Sequence, residues 1–195
     1  MLVSGDGSLL QSLLDATARA GYPAEVVGVV SDRPAVRALE RAVLAGVPTS
    51  VVRPGDHHDR ASWDAALTEV TAVHRPDMVV LAGFNRLVGP GFLARFGGRV
   101  LNSHPALLPA FPGLHAARDA IAHGVKVSGA TLFVVDAGTD TGPIVAQVPV
   151  PVTEDDTEAT LHERIKQAER VMLPDQVGRL AGSGFSIDGR KVVIG

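Results

Sequence analysis

Short runs of β-branched and aliphatic residues alternate with longer amphipathic segments along the first half of the chain. Short apolar runs bounded by Gly, Pro or Asp are typical of buried strands, and apolar residues at helical spacing predict helices. The pattern predicts strands at 2–3, 24–30, 49–52, 78–82 and 99–101, separated by helices at 8–20, 34–45, 60–73 and 90–95. Such alternation predicts an α/β fold: a doubly wound, mostly parallel sheet with helices on both faces.

The regular alternation of short strands and helices ends after Gly113. A helix at 114–123 precedes two strand-like runs at 129–135 and 144–150, and the loop 136–143 between them is too long for a tight hairpin turn. A long helix at 158–180 follows, and Asp188-Gly189 predicts a terminal hairpin turn. The C-terminal part should therefore contain an antiparallel strand. With no repeat and no linker, we expect a single domain over residues 1–195.

Composition excludes several classes of protein. With 46% apolar residues and 20% charged residues, the chain is typical of a globular protein. It has no cysteine, which excludes disulfide scaffolds, thiol catalysis and zinc–thiolate sites. The net charge of −3 gives no support for nonspecific nucleic-acid binding. No run is long enough to span a membrane and no export signal opens the chain, so we expect a cytoplasmic protein without membrane or nucleic-acid partners.

A glycine-containing loop separates the first strand from the first helix: Ser4-Gly5-Asp6-Gly7-Ser8. Glycines let a backbone approach a ligand closely, and the free N–H groups of a helix start can bind phosphate. The loop is neither a P-loop nor a complete dinucleotide fingerprint, because Leu10 occupies the third glycine position. A tight turn with Ser8 as the N-cap explains the loop equally well.

An amide and an imidazole stand two residues apart at the end of the fifth strand, Asn102 and His104. Side chains two apart in a strand point to one face, and open α/β sheets bind ligands at the carboxyl ends of their strands. Pro105, Pro109 and Pro112 restrict the chain that follows. We therefore interpret the pair as a candidate site, although a polar strand end that caps loop backbone remains an alternative.

A carboxylate in the loop 136–143, Asp140, is the third candidate. It could orient an imidazole and favour its protonated form, whereas an Asx-turn would explain it without any function. The other histidines lack metal-ligand spacing, so no metal site is predicted.

Together these elements resemble the folate-dependent formyltransferases, and among them the phosphoribosylglycinamide formyltransferases. The resemblance covers nearly the whole chain in the family's order. Its matching elements are Ser4 to Ser8, Leu81-Ala-Gly-Phe-Asn-Arg86, Leu101-Asn-Ser-His-Pro-Ala-Leu-Leu-Pro109, Phe111-Pro-Gly-Leu-His115 and Asp136 to Pro143. It implies a Rossmann-like fold, with a mononucleotide-binding half at about 1–100 and a folate and catalytic half at about 101–195.

The resemblance also implies the reaction. The formyl group of 10-formyltetrahydrofolate, a co-substrate, passes to the amine of 5-phosphoribosylglycinamide (glycinamide ribonucleotide) in purine biosynthesis. Asn102 should hydrogen-bond the formyl oxygen, and His104 should stabilise the oxyanion and donate a proton. Asp140 should pair with His104 and hold it protonated. The partners are these small molecules, and the protein is expected to be a monomer or a homodimer.

Other site residues follow from the same resemblance. The ribonucleotide should contact Gly7, Ser8, Leu9, Lys166 and Glu169, the last through its ribose hydroxyls. The folate should contact Arg60, Asn85, Arg86, Leu87, Val88 and Asn102 and the loop residues Asp136, Ala137, Gly138, Thr139 and Asp140. His115 should support the site. Leu9 stands where the family usually has asparagine, and Asn85 where methionine is common.

Related activities stay open. A formyltetrahydrofolate deformylase would use a similar Asn/His/Asp site for hydrolysis but normally carries an extra N-terminal domain. Methionyl-tRNA formyltransferases add a C-terminal RNA-binding domain, and sugar-nucleotide formyltransferases usually sit in longer chains. A noncatalytic, Rossmann-like nucleotide-binding protein would explain Gly5 and Gly7 but not the Asn102, His104 and Asp140 set. The catalytic interpretation requires His104 and Asp140 to lie together.

Overall fold

A computed structural model describes all residues, 1–195, and divides them into two compact units, Met1–Leu101 and Asn102–Gly195. The first unit alternates short strands and helices: β1 (Leu2–Val3), α1 (Ser8–Thr17), β2 (Val29–Ser31), α2 (Arg37–Leu44), β3 (Thr49–Val51), a short 3₁₀ turn (Pro54–Asp56), α3 (Arg60–Val73), β4 (Val79–Leu81) and α4 (Pro90–Phe96). Strand β5 (Val100–His104) starts in this unit, and the division falls inside the strand, after Leu101.

Parallel pairing orders the strands of the first unit as β3-β2-β1-β4. Leu2 lies between Val30 and Leu81, so β1 is central among these strands. All three residues are buried, as expected for strands that are covered on both faces. The carboxyl ends of β1, β2 and β4 therefore lead into neighbouring loops, which is where open α/β sheets bind ligands.

Three predicted bounds in this unit differ from the structure by three residues or more, and the first is the end of α1, at Thr17 instead of 20. The strand predicted at 24–30 exists only as Val29–Ser31, because β1 begins at Leu2 and gives the preceding residues no ladder partner. The helix predicted at 34–45 begins at Arg37 instead, and Pro34 lies outside it. Ala35 has a φ of 52°, a left-handed conformation that cannot continue a right-handed helix.

The second unit contains α5 (Ala116–Ala122), β6 (Val127–Val134), β7 (Ile144–Pro151), α6 (Glu158–Ser183), β8 (Phe185–Asp188) and β9 (Lys191–Ile194). Its strands β6 to β9 are ordered β6-β7-β9-β8. The pairs β6–β7 and β8–β9 are antiparallel, and β7–β9 is parallel. The predicted terminal hairpin is confirmed, with Gly189 at a φ of 58° in its turn.

Helix α6 begins with a capping box, in which Thr157 and Thr160 exchange side-chain and backbone hydrogen bonds. Asp156 reinforces this end by a paired contact with Arg164, at 2.7 and 2.8 Å. The helix then presents Leu161, Ile165, Leu173 and Leu180 to the interior of the unit. It ends at Ser183 rather than at the predicted 180, since Gly184 supplies the left-handed φ of 71°.

The α/β class, the mostly parallel pairing and the antiparallel C-terminal strands are thus as predicted. None of the helices combines the length and the apolar character needed to cross a membrane.

Candidate active site

The glycine loop leads from β1 into α1, and Gly7 is the residue that shapes it. Gly7 is the N-cap of α1 with a φ of 75°, and no side chain caps the helix start. Ser8, predicted as an N-cap if the loop were only a turn, is instead the first helical residue. The first N–H groups of α1 are therefore not capped by a side chain, which is the arrangement that suits an anion.

Helix α2 holds the glycine loop in place. The N–H of Ala38 donates to the carbonyl oxygen of Gly5 at 3.2 Å, and a Cβ on Gly7 would lie 2.6 Å from the Cβ of Ala38. Arg41 donates through Nε to the carbonyl oxygen of Asp6 at 2.9 Å, and its Nη2 lies 3.3 Å from the Asp6 carboxylate. Position 7 therefore requires glycine, both for its φ and for its space.

The segment after β4 contains the predicted folate contacts Asn85, Arg86, Leu87 and Val88. It lies beside the glycine loop, because the N–H of Asn85 donates to Ser4 Oγ at 3.0 Å. Arg86 donates through Nε to the buried Asp32 carboxylate at 2.7 Å. The segment is thus fixed at both of these residues, while Leu87 is 60% exposed and available for contact.

Two residues one turn apart in helix α3, Arg60 and Asp64, hydrogen-bond the backbone of the same segment and of the residues that follow it. Arg60 donates to the carbonyl oxygen of Leu87, so this predicted folate residue engages another one directly. Four residues on, the buried Asp64 accepts from the N–H of Gly89 at 2.5 Å and from that of Phe92 at 3.3 Å. The guanidinium of Arg60 also lies 5.0 Å from the ring centre of Trp63. Arg60 and Asp64 therefore fix the backbone on which Leu87 and Val88 are presented.

In the second unit, β5 carries the predicted catalytic pair. The strand conformation persists to His104, three residues beyond the predicted end, so Asn102 and His104 lie on one face and Ser103 on the other. His104 is buried at 4% exposure, whereas Asn102 and Ser103 are half-buried.

His104 contacts oxygen atoms through both ring nitrogens. Its Nδ1 lies 3.4 Å from Oδ2 of Asp140, and its Nε2 lies 2.8 Å from the carbonyl oxygen of Phe111. A carbonyl oxygen only accepts, so Nε2 carries the hydrogen of that bond. The contact between Nδ1 and the Asp140 carboxylate is an ion pair when the imidazole is protonated. His104 and Asp140 therefore meet the geometric condition that the catalytic interpretation sets.

The loop 136–143 positions Asp140 through local hydrogen bonds. Asp136 Oδ1 accepts from the N–H of Gly138 at 3.0 Å and from the hydroxyl of Thr141 at 2.6 Å. Asp140 has a φ of 54°, and its Oδ2 accepts from the N–H of Gly113 at 2.8 Å. The backbone of Gly142 packs directly against β6, and a Cβ there would lie 1.7 Å from the carbonyl oxygen of Val134. Only glycine therefore fits at this end of the loop. The Asp140 carboxylate is therefore held by its own loop and by Gly113.

The chain that leaves β5 is fixed by a buried hydroxyl. Thr131 Oγ1 donates to the carbonyl oxygen of Ala106 at 2.6 Å and accepts from the N–H of Leu108 at 3.0 Å. Gln147 Nε2 contacts both the same hydroxyl, at 3.0 Å, and the carbonyl oxygen of Leu108, at 2.8 Å. The rigidity expected from the prolines of this segment is thus reinforced by side-chain hydrogen bonds from β6 and β7.

Helix α6 supplies the two predicted ribonucleotide contacts of the second unit. Glu169 is only 4% exposed, and its Oε1 accepts from the hydroxyl of Ser103 at 2.6 Å. Burial raises the pKa of the Glu169 carboxyl group, and the Ser103 hydrogen bond and the charges of Lys166 and Arg170 oppose that rise. Lys166 lies one turn earlier and is half-buried.

The structure brings some of the predicted residues together. His104 contacts Asp140, Arg60 contacts Leu87, and the N–H of Gly138 donates to Asp136. His115 is exposed at the N-cap of α5 and makes no hydrogen bond with His104 or Asp140. No cluster of three or more His, Asp or Glu side chains could hold a metal ion.

Sequence reasoning missed four supporting residues: Arg41, Asp64, Ser103 and Thr131. The alternation of β5 gave a signal for Ser103, since the residue between Asn102 and His104 must face the other way. Helical spacing gave a signal for Asp64, four residues after Arg60. Nothing in the local pattern indicated the roles of Arg41 and Thr131, which depend on contacts distant in sequence.

Comparison with known proteins gives a consistent result. The family model described as formyl transferase matches residues 1–177. The chain is 58% identical, over all of its 195 residues and 90% of the relative, to a phosphoribosylglycinamide formyltransferase of Mycobacterium tuberculosis. A crystal structure of glycinamide ribonucleotide transformylase 1 from Symbiobacterium toebii superposes with a TM-score of 0.96, at 44% identity over 99% of this chain and 91% of that one.

A formyltetrahydrofolate deformylase from Pseudomonas syringae shares the fold, with a TM-score of 0.90 at 23% identity, over 99% of this chain and 64% of that one. At that level of identity the similarity shows the fold alone. The family match over residues 1–177 and the 58% identity over the full chain are decisive. The chain belongs to the formyl transferase family.

Proposed function

We propose that this enzyme transfers the formyl group of 10-formyltetrahydrofolate to the amine of 5-phosphoribosylglycinamide, a step of purine biosynthesis. The observation that carries the proposal is the contact of His104 with Asp140. His104 lies on β5, the strand that also bears Asn102. It occurs in a chain 58% identical to a phosphoribosylglycinamide formyltransferase.

The reaction forms one C–N bond and breaks another. The substrate amine attacks the formyl carbon, and the formyl oxygen becomes an oxyanion in a tetrahedral intermediate. The bond from that carbon to N10 of the folate then breaks, N10 gains a proton, and the amine loses one. The products are tetrahydrofolate and the N-formyl ribonucleotide.

Asn102 and His104 have the donors that the oxyanion needs. The Asn102 amide and a protonated ring nitrogen of His104 would donate to it, and one such donor contributes about 3–4 kcal/mol in other acyl-transfer sites. Because Phe111 and Asp140 occupy both ring nitrogens of His104 here, one of these contacts must be exchanged for the substrate. Asp140 is the better anchor, since its charge stabilises the imidazolium while a neutral carbonyl does not.

Binding roles follow the same proposal. The first N–H groups of α1, at Gly7, Ser8 and Leu9, would hold the phosphate, and Glu169 would accept from ribose hydroxyls. The backbone of Asn85 to Val88, which Arg60 and Asp64 support, and that of Asp136 to Asp140 would bind the pterin.

Cytoplasmic location and a monomeric or dimeric state remain predictions. Both proposed substrates are small metabolites of nucleotide and one-carbon metabolism, which favours the cytoplasm.

An assay of folate turnover tests the proposal. Purified protein should release tetrahydrofolate from 10-formyltetrahydrofolate only when glycinamide ribonucleotide is present. The His104→Ala variant should lose this turnover by orders of magnitude while keeping the wild-type circular dichroism spectrum. Equal turnover with and without the ribonucleotide would instead identify a deformylase.

A further inference from the structure

Ser103 lies between Asn102 and His104 in β5, and its side chain points away from theirs. It therefore cannot share their place beside the formyl group. The hydroxyl of Ser103 instead donates to Oε1 of Glu169 at 2.6 Å, across 66 residues of sequence. This contact links the catalytic strand to helix α6.

The Glu169 carboxyl group has one hydrogen-bond partner in the protein, and that partner is Ser103. Its second oxygen, Oε2, makes no hydrogen bond, although the residue is 4% exposed. No cation serves as a hydrogen-bond partner of Oε2. The charges of Lys166 and Arg170 act on the carboxyl group only at a distance, and Arg170 is paired with Glu163 at 2.6 Å. The orientation of the carboxyl group thus depends on the Ser103 hydroxyl.

We propose that Ser103 is a positioning residue for the ribonucleotide: its hydroxyl fixes Glu169 Oε1 so that Oε2 accepts from the ribose hydroxyls. The inference rests on the proposed function, which assigns the ribose to Glu169. A buried carboxyl group without this bond would rotate and lose its aim at the sugar. One strand segment would then orient the ribose through Ser103 and handle the formyl oxygen through its neighbours.

The test compares Ser103→Ala with Ser103→Thr, which keeps the hydroxyl, in steady-state assays with both substrates. The alanine variant should raise KM for glycinamide ribonucleotide about tenfold, as expected for the loss of one charge-assisted hydrogen bond. Its kcat should stay within about twofold of wild type, as should KM for 10-formyltetrahydrofolate. The threonine variant should restore KM for the ribonucleotide.

A substrate analogue separates positioning from a structural role. With glycinamide ribonucleotide that lacks its ribose hydroxyls, wild type and Ser103→Ala should have equal KM values, because the Glu169 contact is absent in both. In a Glu169→Ala background, Ser103→Ala should likewise have no further effect on KM for the natural substrate.

The outcomes distinguish this inference from the proposed function. If Glu169→Ala raises KM for the ribonucleotide and Ser103→Ala does not, Ser103 has no positioning role and the proposed function stands. If Ser103→Ala lowers kcat alone, or affects the analogue as much as the natural substrate, the positioning role is also excluded. If wild type shows no ribonucleotide-dependent transfer, the proposed function fails first and the inference with it.

Discussion

His104 and Asp140 lie 3.4 Å apart, from Nδ1 to Oδ2, and the same carboxylate oxygen accepts from the N–H of Gly113 at 2.8 Å. The backbone N–H of Gly113 therefore holds the Asp140 carboxylate in position independently of the imidazole. Its loop is closed independently, by Asp136 and Thr141. A protonated His104 therefore has a negatively charged partner, Asp140, whose position does not depend on a bound substrate.

Asp140→Asn tests whether this charge matters. The amide can still accept from Gly113 but carries no charge to stabilise the imidazolium, so kcat should fall about 10²- to 10³-fold. The melting temperature should change little, and steady-state kinetics with thermal unfolding measure both. Asp155→Asn, at an exposed carboxylate before α6, is the matched control and should leave both unchanged. A kcat near wild type in Asp140→Asn would remove the carboxylate from the mechanism.

Gly7→Ala tests the shape of the glycine loop. Alanine at a φ of 75° costs about 1–2 kcal/mol, and its Cβ would lie 2.6 Å from that of Ala38. The variant should be less stable by about 1–3 kcal/mol in urea unfolding and should have a higher KM for the ribonucleotide.

The control for that substitution is Gly55→Ala, in the 3₁₀ turn before α3. A Cβ at Gly55 meets nothing within 4 Å, and its φ is not positive. Stability should change by less than about 0.5 kcal/mol. Equal effects at positions 7 and 55 would show that the loop has no special conformational requirement.

Glu169→Gln tests the effect of burial on a carboxyl group. Burial raises the pKa of Glu169 in the folded state above its usual 4.5, so the folded protein retains a proton that the unfolded chain releases. This contribution to stability is present below about pH 4.5 and is lost as pH rises through the raised pKa. Glutamine does not ionise, so wild type should lose stability relative to Glu169→Gln as pH increases above 4.5. Urea unfolding over a pH series measures the difference, and two parallel curves would contradict it.

Thr131→Val tests the buried hydroxyl that fixes residues 106–108. Valine keeps the shape but leaves the N–H of Leu108 and the carbonyl oxygen of Ala106 without their partner, which should cost about 2–4 kcal/mol. Because the segment follows His104 directly, kcat should also fall. Thr131→Ser keeps the hydroxyl and should retain most of the stability and kcat. Valine as stable as serine would show that Gln147 alone holds the segment.

The sequence predicted those elements whose signals are local. The bounds of α3 were predicted correctly as Arg60–Val73, because its amphipathic pattern follows a capping box at Asp59 and Ser62. The strand at 24–30 was overpredicted, since a β-branched run forms a ladder only where a neighbouring strand offers partners. The local pattern indicates a preference for strand conformation, and the adjacent strands determine how long the strand is.

The site was predictable in part, for a similar reason. Strand alternation and the prolines indicated Asn102 and His104, the loop 136–143 made Asp140 a separate candidate, and the family resemblance joined the three into one site. The contacts of Ser103 with Glu169 and of Arg41 with Asp6 join residues 66 and 35 apart, so they depend on packing that no local motif encodes.

The fate of the formyl carbon tests the central claim most directly. Wild-type protein is incubated with 10-formyltetrahydrofolate labelled with a carbon isotope in the formyl group and with glycinamide ribonucleotide, and products are separated by mass spectrometry. We predict that the label appears in the N-formyl ribonucleotide, in amounts equal to the tetrahydrofolate released. Label recovered as free formate, at a rate independent of the ribonucleotide, would contradict the proposed transfer.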